Sequence, residues 1–382
     1  MRSIFADLRG HQQCWLNMRA LGWFKARVSM EVLGFLALYL ASPFAFAQSV
    51  SPIANRDEFA MALRELQPGA TLVLAPGEYG SDWYVTNVDR LTIRAADPPK
   101  PPRFTGGKVA IHFSKCSHLH LDGLTIAGQS QNGLNLDDGG PNSTPPHSVT
   151  LEHLTIENIG PKGNCDGIKA SGIEQLKIQH CSFTGWAGQG IDLVGCHHVM
   201  IDQCQFHGKE GFAPSAGIQA KGGSSDVQIQ DCQLQDAGER LINIGGSTGL
   251  PFFRPQGIPY EAKDVLVRSC RLQGGLCAIA FVGVDGAVVE NNTIHYPQKW
   301  IVRILQETKA SSFLPSQNGV FRNNKILFRR EQISSECNVG AGTAPETFRF
   351  EENQWYAVDQ PQRSKPKLPV EELNGRYGID FR

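Results

Sequence analysis

Lys169 and Lys221 end or interrupt short apolar–polar segments, "GIKASG" and "GIQAKGG", and Asp192 stands in a third, "GIDLVG". An amine can take a proton from carbon only where its charged form is disfavoured, by desolvation or by neighbouring cations. Two lysines on one surface would depress each other. An aspartate between them would do the reverse, so a Lys169–Asp192 ion pair worth ~1 kcal/mol or less is the competing expectation. Carboxyls able to do acid and base work are also present: Asp137, Asp138, Asp166 in "NCDGI", and Asp192.

The elements that would position these groups are short and alternate with period 2. "GLNLDDG", "GIKASG", "GIDLVG", "GIQAKGG", "LINIGG" and "AIAFVG" each read as a strand with one apolar face. That phase turns Leu134, Ile168, Ile191, Ile218, Ile242 and Ile279 inward. The outward row becomes Asn135, Lys169, Asp192, Gln219, Asn243 and Ala280, with Arg303 joining if Val302 and Ile304 point inward. A second outward row holds Asp137, Ser171, Val194 and Lys221.

A second strand type follows each of these. The pattern apolar-x-apolar-x-x-(Cys or Asn)-x-apolar recurs in "LKIQHCSF", "VMIDQCQF", "VQIQDCQL", "VLVRSCRL", "AVVENNTI" and "GVFRNNKI". No copy can bury its own apolar face, so the copies must stack. The expected stack is an all-β parallel β-helix of about ten coils. Leu176, Met200, Val227 and Leu266 are expected in one interior row. Cys181, Cys204, Cys232 and Cys270 form another, continued by Asn292, Asn324 and Asn353. "NRDEFAMALREL" has helical spacing, with Asn55 or Asp57 as cap, and would plug the open end as a short N-terminal capping helix.

The bulk properties agree with one large domain. The chain has 382 residues, and 36 basic against 37 acidic residues leave a net charge of -1, which gives no case for nucleic acid as partner. Basic residues followed by "VLGFLALYLASPFAFA" and Ala45-Phe46-Ala47 predict a signal peptide over 1–47, too short for a membrane span. The expected location is secreted or periplasmic, with no stable membrane span after cleavage. The β-helix is expected over 48–360 and an irregular, proline-rich tail over 361–382. Most cysteines are expected to be buried thiols.

The segment "EFAMALRELQPGATLVLAPGEY", followed by Cys/Asn-marked coils, resembles the right-handed parallel β-helix polysaccharide lyases, in particular the chondroitinase B and alginate lyase group. The resemblance implies a right-handed single-stranded β-helix that cleaves an acidic, uronate-containing polysaccharide by β-elimination. It implies a strand-borne Lys as base, an assisting Arg downstream, and Ca2+ held by Asn and Glu. Lys221 matches the Lys position. The Arg position falls near Ile244 and Gly245, with Arg240 a few residues upstream. Ala216, Gly217 and Gln219 stand where acidic ligands would precede the Lys, so no metal ligands are assigned and Ca2+ stays an implication of the resemblance.

Lys221, Arg240 and Lys169 are therefore the candidate catalytic residues. Asp166, Asp192, Gln219, Asn243, Arg254, Glu261 and Arg303 are the candidate substrate contacts. Arg254 and Glu261 sit in a long loop expected to wall a groove, where Arg suits a uronate carboxylate. The two could instead pair with each other. "NCDGI" also resembles the acidic strand motif of β-helix polygalacturonases, which makes a glycoside hydrolase using the aspartates the second reading. A non-catalytic glycan-binding or surface protein is the third. Trp186 and Trp300 could stack on sugars, though a core role fits them better.

Overall fold

The computed structural model describes residues 51–140 and 143–381. The segment expected to be a signal peptide lies outside the described residues.

Every strand pairing is parallel, and the strands form three sheets of eleven, eleven and ten strands. Each coil passes from the ten-stranded sheet (here the third sheet) to the first sheet, then to the second, and repeats. In one coil, Ile168–Ser171 lies in the third sheet, Glu174–Gln179 in the first and Ser182–Trp186 in the second. This is the parallel β-helix read from the repeat. All strands in a sheet point the same way because each returns only after a full turn of chain.

The turn from first to second sheet explains the repeated pattern. His180, Gln203, Asp231, Ser269, Asn291 and Asn323 all adopt left-handed φ there, between 51° and 57°. The next residue points back into the interior, and that is the Cys/Asn position. Cys181, Cys204, Cys232 and Cys270 are buried free thiols that donate to backbone carbonyls; Cys181, for example, reaches Leu151 and Gln179. Asn292 Nδ2 donates to Asn324 Oδ1 at 3.0 Å, and Asn324 Nδ2 to Asn353 Oδ1 at 3.0 Å. The amides also close the turn, since Asn324 donates to the Val289 carbonyl. The ladder thus satisfies polar groups that burial would otherwise leave unpaired.

One expected interior row is corrected by one residue. Leu176, Val199, Val227 and Val265 point inward, whereas Met200 and Leu266 are only partly buried and align with Lys177 and Gln228. With period 2, a shift of one residue moves a side chain to the opposite face.

Both ends of the stack are closed. Helix α1 (Arg56–Arg64) begins at Asn55, whose side chain accepts from the Asp57 and Glu58 amides, and Glu58 returns a bond from the Ala54 amide. This reciprocal capping fixes the entry of a short helix. It delivers Phe59 edge-on against Tyr79, Trp83 and Phe104 at 5.2–5.8 Å. At the other end the proline-rich stretch carries little regular structure, but it packs on the last coil. Arg376–Tyr377 pairs with Gln354 and Trp355, and Glu372 accepts from Asn353 and from the Trp355 indole.

Candidate functional site on the third sheet

The register of the third sheet follows the alternation read from sequence. His112, Asn135, Lys169, Asp192, Gln219, Asn243, Ala280 and Arg303 are successive partners along one row. Asp137, Ser171, Val194 and Lys221 are successive partners in the next. Ile168, Ile191, Ile218, Ile242, Ile279 and Val302 fill the interior beneath them, each fully buried.

Within the row, Lys169 is the centre of a charge cluster. Its Nζ lies 2.6 Å from Asp192 Oδ2 and 3.0 Å from Asp166 Oδ2. Lys221 Nζ approaches the other Asp192 oxygen at 3.1 Å, as an ion pair without hydrogen-bond geometry, and stands 3.3 Å from Gln219 Oε1. Burial works against the Lys169 ammonium, but the Asp192 and Asp166 charges outweigh it and hold the lysine above its usual range. The expected Lys169–Asp192 ion pair is formed, and it favours the charged ammonium over the free amine. Asp166 moves the other way. Burial, then the Asp192 charge, push its carboxyl up against the pull of Lys169.

The candidate contacts divide by access. Asp166, Asp192 and Glu261 are fully buried, and Gln219 and Asn243 nearly so. They support neighbours and do not reach a ligand in this conformation. Gln219 donates to the Gly245 carbonyl, and Arg240 donates to Asn243 and pairs with Glu307 at 2.6 Å. Trp186 is buried and donates to the Ala216 carbonyl, a core role.

Arg254 and Glu261 do not pair with each other. Glu261 accepts from the Gly222 and Thr248 amides and from the hydroxyls of Thr248 and Thr308. Those four bonds tie the ends of the loop to the stack. The loop then runs back over two turns, where its backbone meets Gly222, Gly223 and Gly195; a Cβ at Gly195 would collide with Arg254. His197 Nε2 donates to the Arg254 carbonyl at 3.1 Å. Arg254 thereby reaches Asp138, far upstream in sequence, with two bonds of 2.6 and 2.9 Å. This forked geometry is the strong form of a guanidinium–carboxylate pair.

The result is a cleft of about 370 Å³ lined by Tyr84, Asn135, Asp137, Lys169, Ser171 and Arg254, among others. Asp137 of that lining belongs to a pair the sequence reading did not single out. His112 Nε2 meets Asp137 Oδ2 at 2.5 Å, and Ser114 donates to the other oxygen at 2.6 Å. Burial pushes the Asp137 carboxyl up, but the bonds from His112, Ser114 and the Gly139 amide outweigh it and hold the group at about 2. An ionised carboxylate can only accept, so the nitrogen of His112 that meets it, Nε2, is the one that carries the shared proton. Tyr84, exposed, packs edge-on against the His112 ring at 4.9 Å. The outward alternation of "VAIHFS", with Ile111 and Phe113 inside, was the available signal.

The residues before Lys221 do not fit the implied Ca2+. Ca2+ needs several oxygen ligands, usually with carboxylates. Ala216 is buried, Gly217 has no side chain, and Gln219 points its amide nitrogen at a carbonyl. Among the described residues one group has metal-type donors, Asp122, Glu152 and His153, and it lies on the first sheet and its turn. There His153 is already bonded to Asp122.

Comparison with known proteins agrees on architecture. The family described as "Right handed beta helix region" matches residues 109–256. No curated protein matches the chain. An alginate lyase from Paenibacillus superposes with a TM-score of 0.51 at 16% identity, covering 77% of this chain and 99% of that one. A mannuronan C-5 epimerase module from Azotobacter vinelandii gives 0.47 at 12% identity, covering 84% and 90%. An exopolygalacturonase from Thermotoga maritima gives 0.48 at 12%, covering 80% and 84%. The chain is a right-handed parallel β-helix. In fold it resembles the β-helix carbohydrate-active enzymes, alginate lyase among them. At such identities the likeness speaks for the fold alone. No helix among the described residues is long and apolar enough to cross a membrane.

Proposed function

We propose that the chain is a secreted or periplasmic polysaccharide lyase that cleaves an acidic, uronate-containing polysaccharide by β-elimination in the cleft beside Lys169. The observation that carries this reading is a cleft lined by Asp137, Lys169 and Arg254, with His112 hydrogen-bonded to the Asp137 that lines it. β-Elimination needs a base for the proton beside the uronate carboxylate, a cation for the developing charge, and a donor for the leaving oxygen. Neutral His112 supplies the lone pair of Nδ1, oriented by Asp137. Lys169, kept charged by two carboxylates, supplies the cation. The exposed Tyr84 hydroxyl, which lines the same cleft, is the candidate donor. Lys221 serves this arrangement by neutralising Asp192 rather than by taking the proton.

The hydrolase reading is less well supported. Glycoside hydrolysis needs a carboxyl that still holds its proton and reaches the bond. Asp166 is pushed toward the protonated form but sealed, and Asp137 is reachable but held ionised.

The test is a panel of alginate, pectate and glycosaminoglycans, scored for unsaturated, ultraviolet-absorbing product. His112→Ala is expected to cut product formation at least ~100-fold, the lower range for loss of a general base. New reducing ends without ultraviolet absorbance would replace the lyase by the hydrolase. Binding that survives loss of His112, Lys169 and Lys221, with no product from the intact protein, would make it a glycan-binding protein.

A further inference from the structure

Five rungs beyond Lys169 along the same outward row stands Arg303, reached through Asp192, Gln219, Asn243 and Ala280. At ordinary strand spacing that is about 24 Å. Arg303 Nε donates to Asn338 Oδ1 at 3.0 Å, and the guanidinium lies over the Trp300 ring at 4.1 Å. Lys299 approaches the same ring at 4.4 Å. Burial, then the charge of Arg240, pull Arg303 below the usual guanidinium range.

Four other cations of this face have carboxylate partners. Lys169 and Lys221 have Asp192, Arg254 has Asp138, and Arg240 has Glu307. Arg303 has none within ion-pair distance among the described residues. A cation partly withdrawn from water, beside a like charge and without a direct ion pair, is an unfavourable arrangement that the more distant Glu307 and Glu239 charges only partly offset. Its planar fork, held by Asn338 and Trp300, is pre-organised for a planar or tetrahedral oxyanion.

We propose that Arg303, with Arg240 beside it and Trp300 beneath it, is a distal anion subsite that takes the carboxylate or sulfate of a sugar several units from the one in the Lys169 cleft. The subsite rests on the acidic-glycan part of the proposed function and is independent of the elimination chemistry. It predicts that affinity rises with oligomer length, because only a long chain spans both positions.

The experiment measures binding of the full chain to an oligouronate disaccharide, an oligouronate octasaccharide, and sulfated and neutral octasaccharides. Arg303→Gln is expected to weaken the acidic octasaccharide about tenfold, the order of one lost charge-assisted contact, and to leave the disaccharide unchanged. Arg303→Lys should restore part of the loss, and melting curves check that both variants fold. Loss confined to the uronate or to the sulfated oligomer names the anion that the subsite reads. Equal octasaccharide affinity in wild type and Arg303→Gln overturns the proposal, as does an equal loss for the neutral oligomer. Length-dependent loss without any unsaturated product would leave the subsite standing and sink the lyase.

Discussion

The Asp137 carboxyl shows how one residue's environment sets its chemistry. It has three donors, His112, Ser114 and the Gly139 amide, and its folded value of about 2 lies below the ordinary 3.8. A depressed folded value means the charged form is the favoured one in the native state. The stabilisation is therefore complete above about pH 4 and lost as pH falls from 4 toward 2. The shift corresponds to roughly 2 kcal/mol. Asp137→Asn should lower the unfolding free energy by about that much at pH 6 and converge with wild type near pH 2. Urea titrations at several pH values check this. A constant gap down to pH 2 would mean the charge is not what the three donors stabilise. The contrast with Asp166 is instructive, because Asp137 is only partly buried and Asp166 is fully buried. Asp137 has three hydrogen-bond donors, whereas Asp166 shares one ammonium with a second carboxylate.

At the scale of elements, the loop 246–261 decides which part of the polar face is open. It is anchored by a buried carboxylate, Glu261, rather than by an internal ion pair. Gln at that position offers one acceptor oxygen and turns an NH2 group toward donors that need an acceptor. Glu261→Gln should cost about 1–3 kcal/mol, local to the loop. Limited proteolysis is the direct readout: nicking between residues 249 and 258 should accelerate, and product formation should fall as Arg254 loses its place. Unchanged nicking would show that the loop is held by its glycine and Phe253 packing instead. Phe253 is buried and meets Phe313 edge-on at 5.3 Å, so that packing is the rival contribution.

At the scale of the molecule, stability is the sum of repeated nearest-neighbour contacts closed by two caps. The cysteine rows add no crosslinks: all nine described cysteines are free. Burial pushes Cys196, Cys277 and Cys337 up to about 12, so these thiols are inert while the chain is folded. The N-terminal plug is the vulnerable point, since Phe59 contacts three aromatic rings at an otherwise open end. Phe59→Ala should destabilise by about 3–5 kcal/mol, with early fraying of the first coils. Hydrogen exchange should show protection lost first in Thr71–Leu74 and Asp89–Ala95. Uniform loss along all coils would mean that the stack unfolds as one unit and the cap is not its weak end.

The sequence alone carried the coil, the order of residues along each outward row, the Cys–Asn ladder and the capped first helix. Each of these is a local property: period-2 alternation chooses a face, and stacking identical patterns chooses the neighbour. It named Lys169 and Asp192 as partners for the same reason. Only the tertiary structure decided which polar groups stay reachable. The path of loop 246–261, the pairing of Arg254 with Asp138, and the sealing of Asp166 and Glu261 all follow from which of several nearby donors each side chain meets. Those choices are made by contacts between residues up to 116 positions apart, and no local pattern in the chain encodes them.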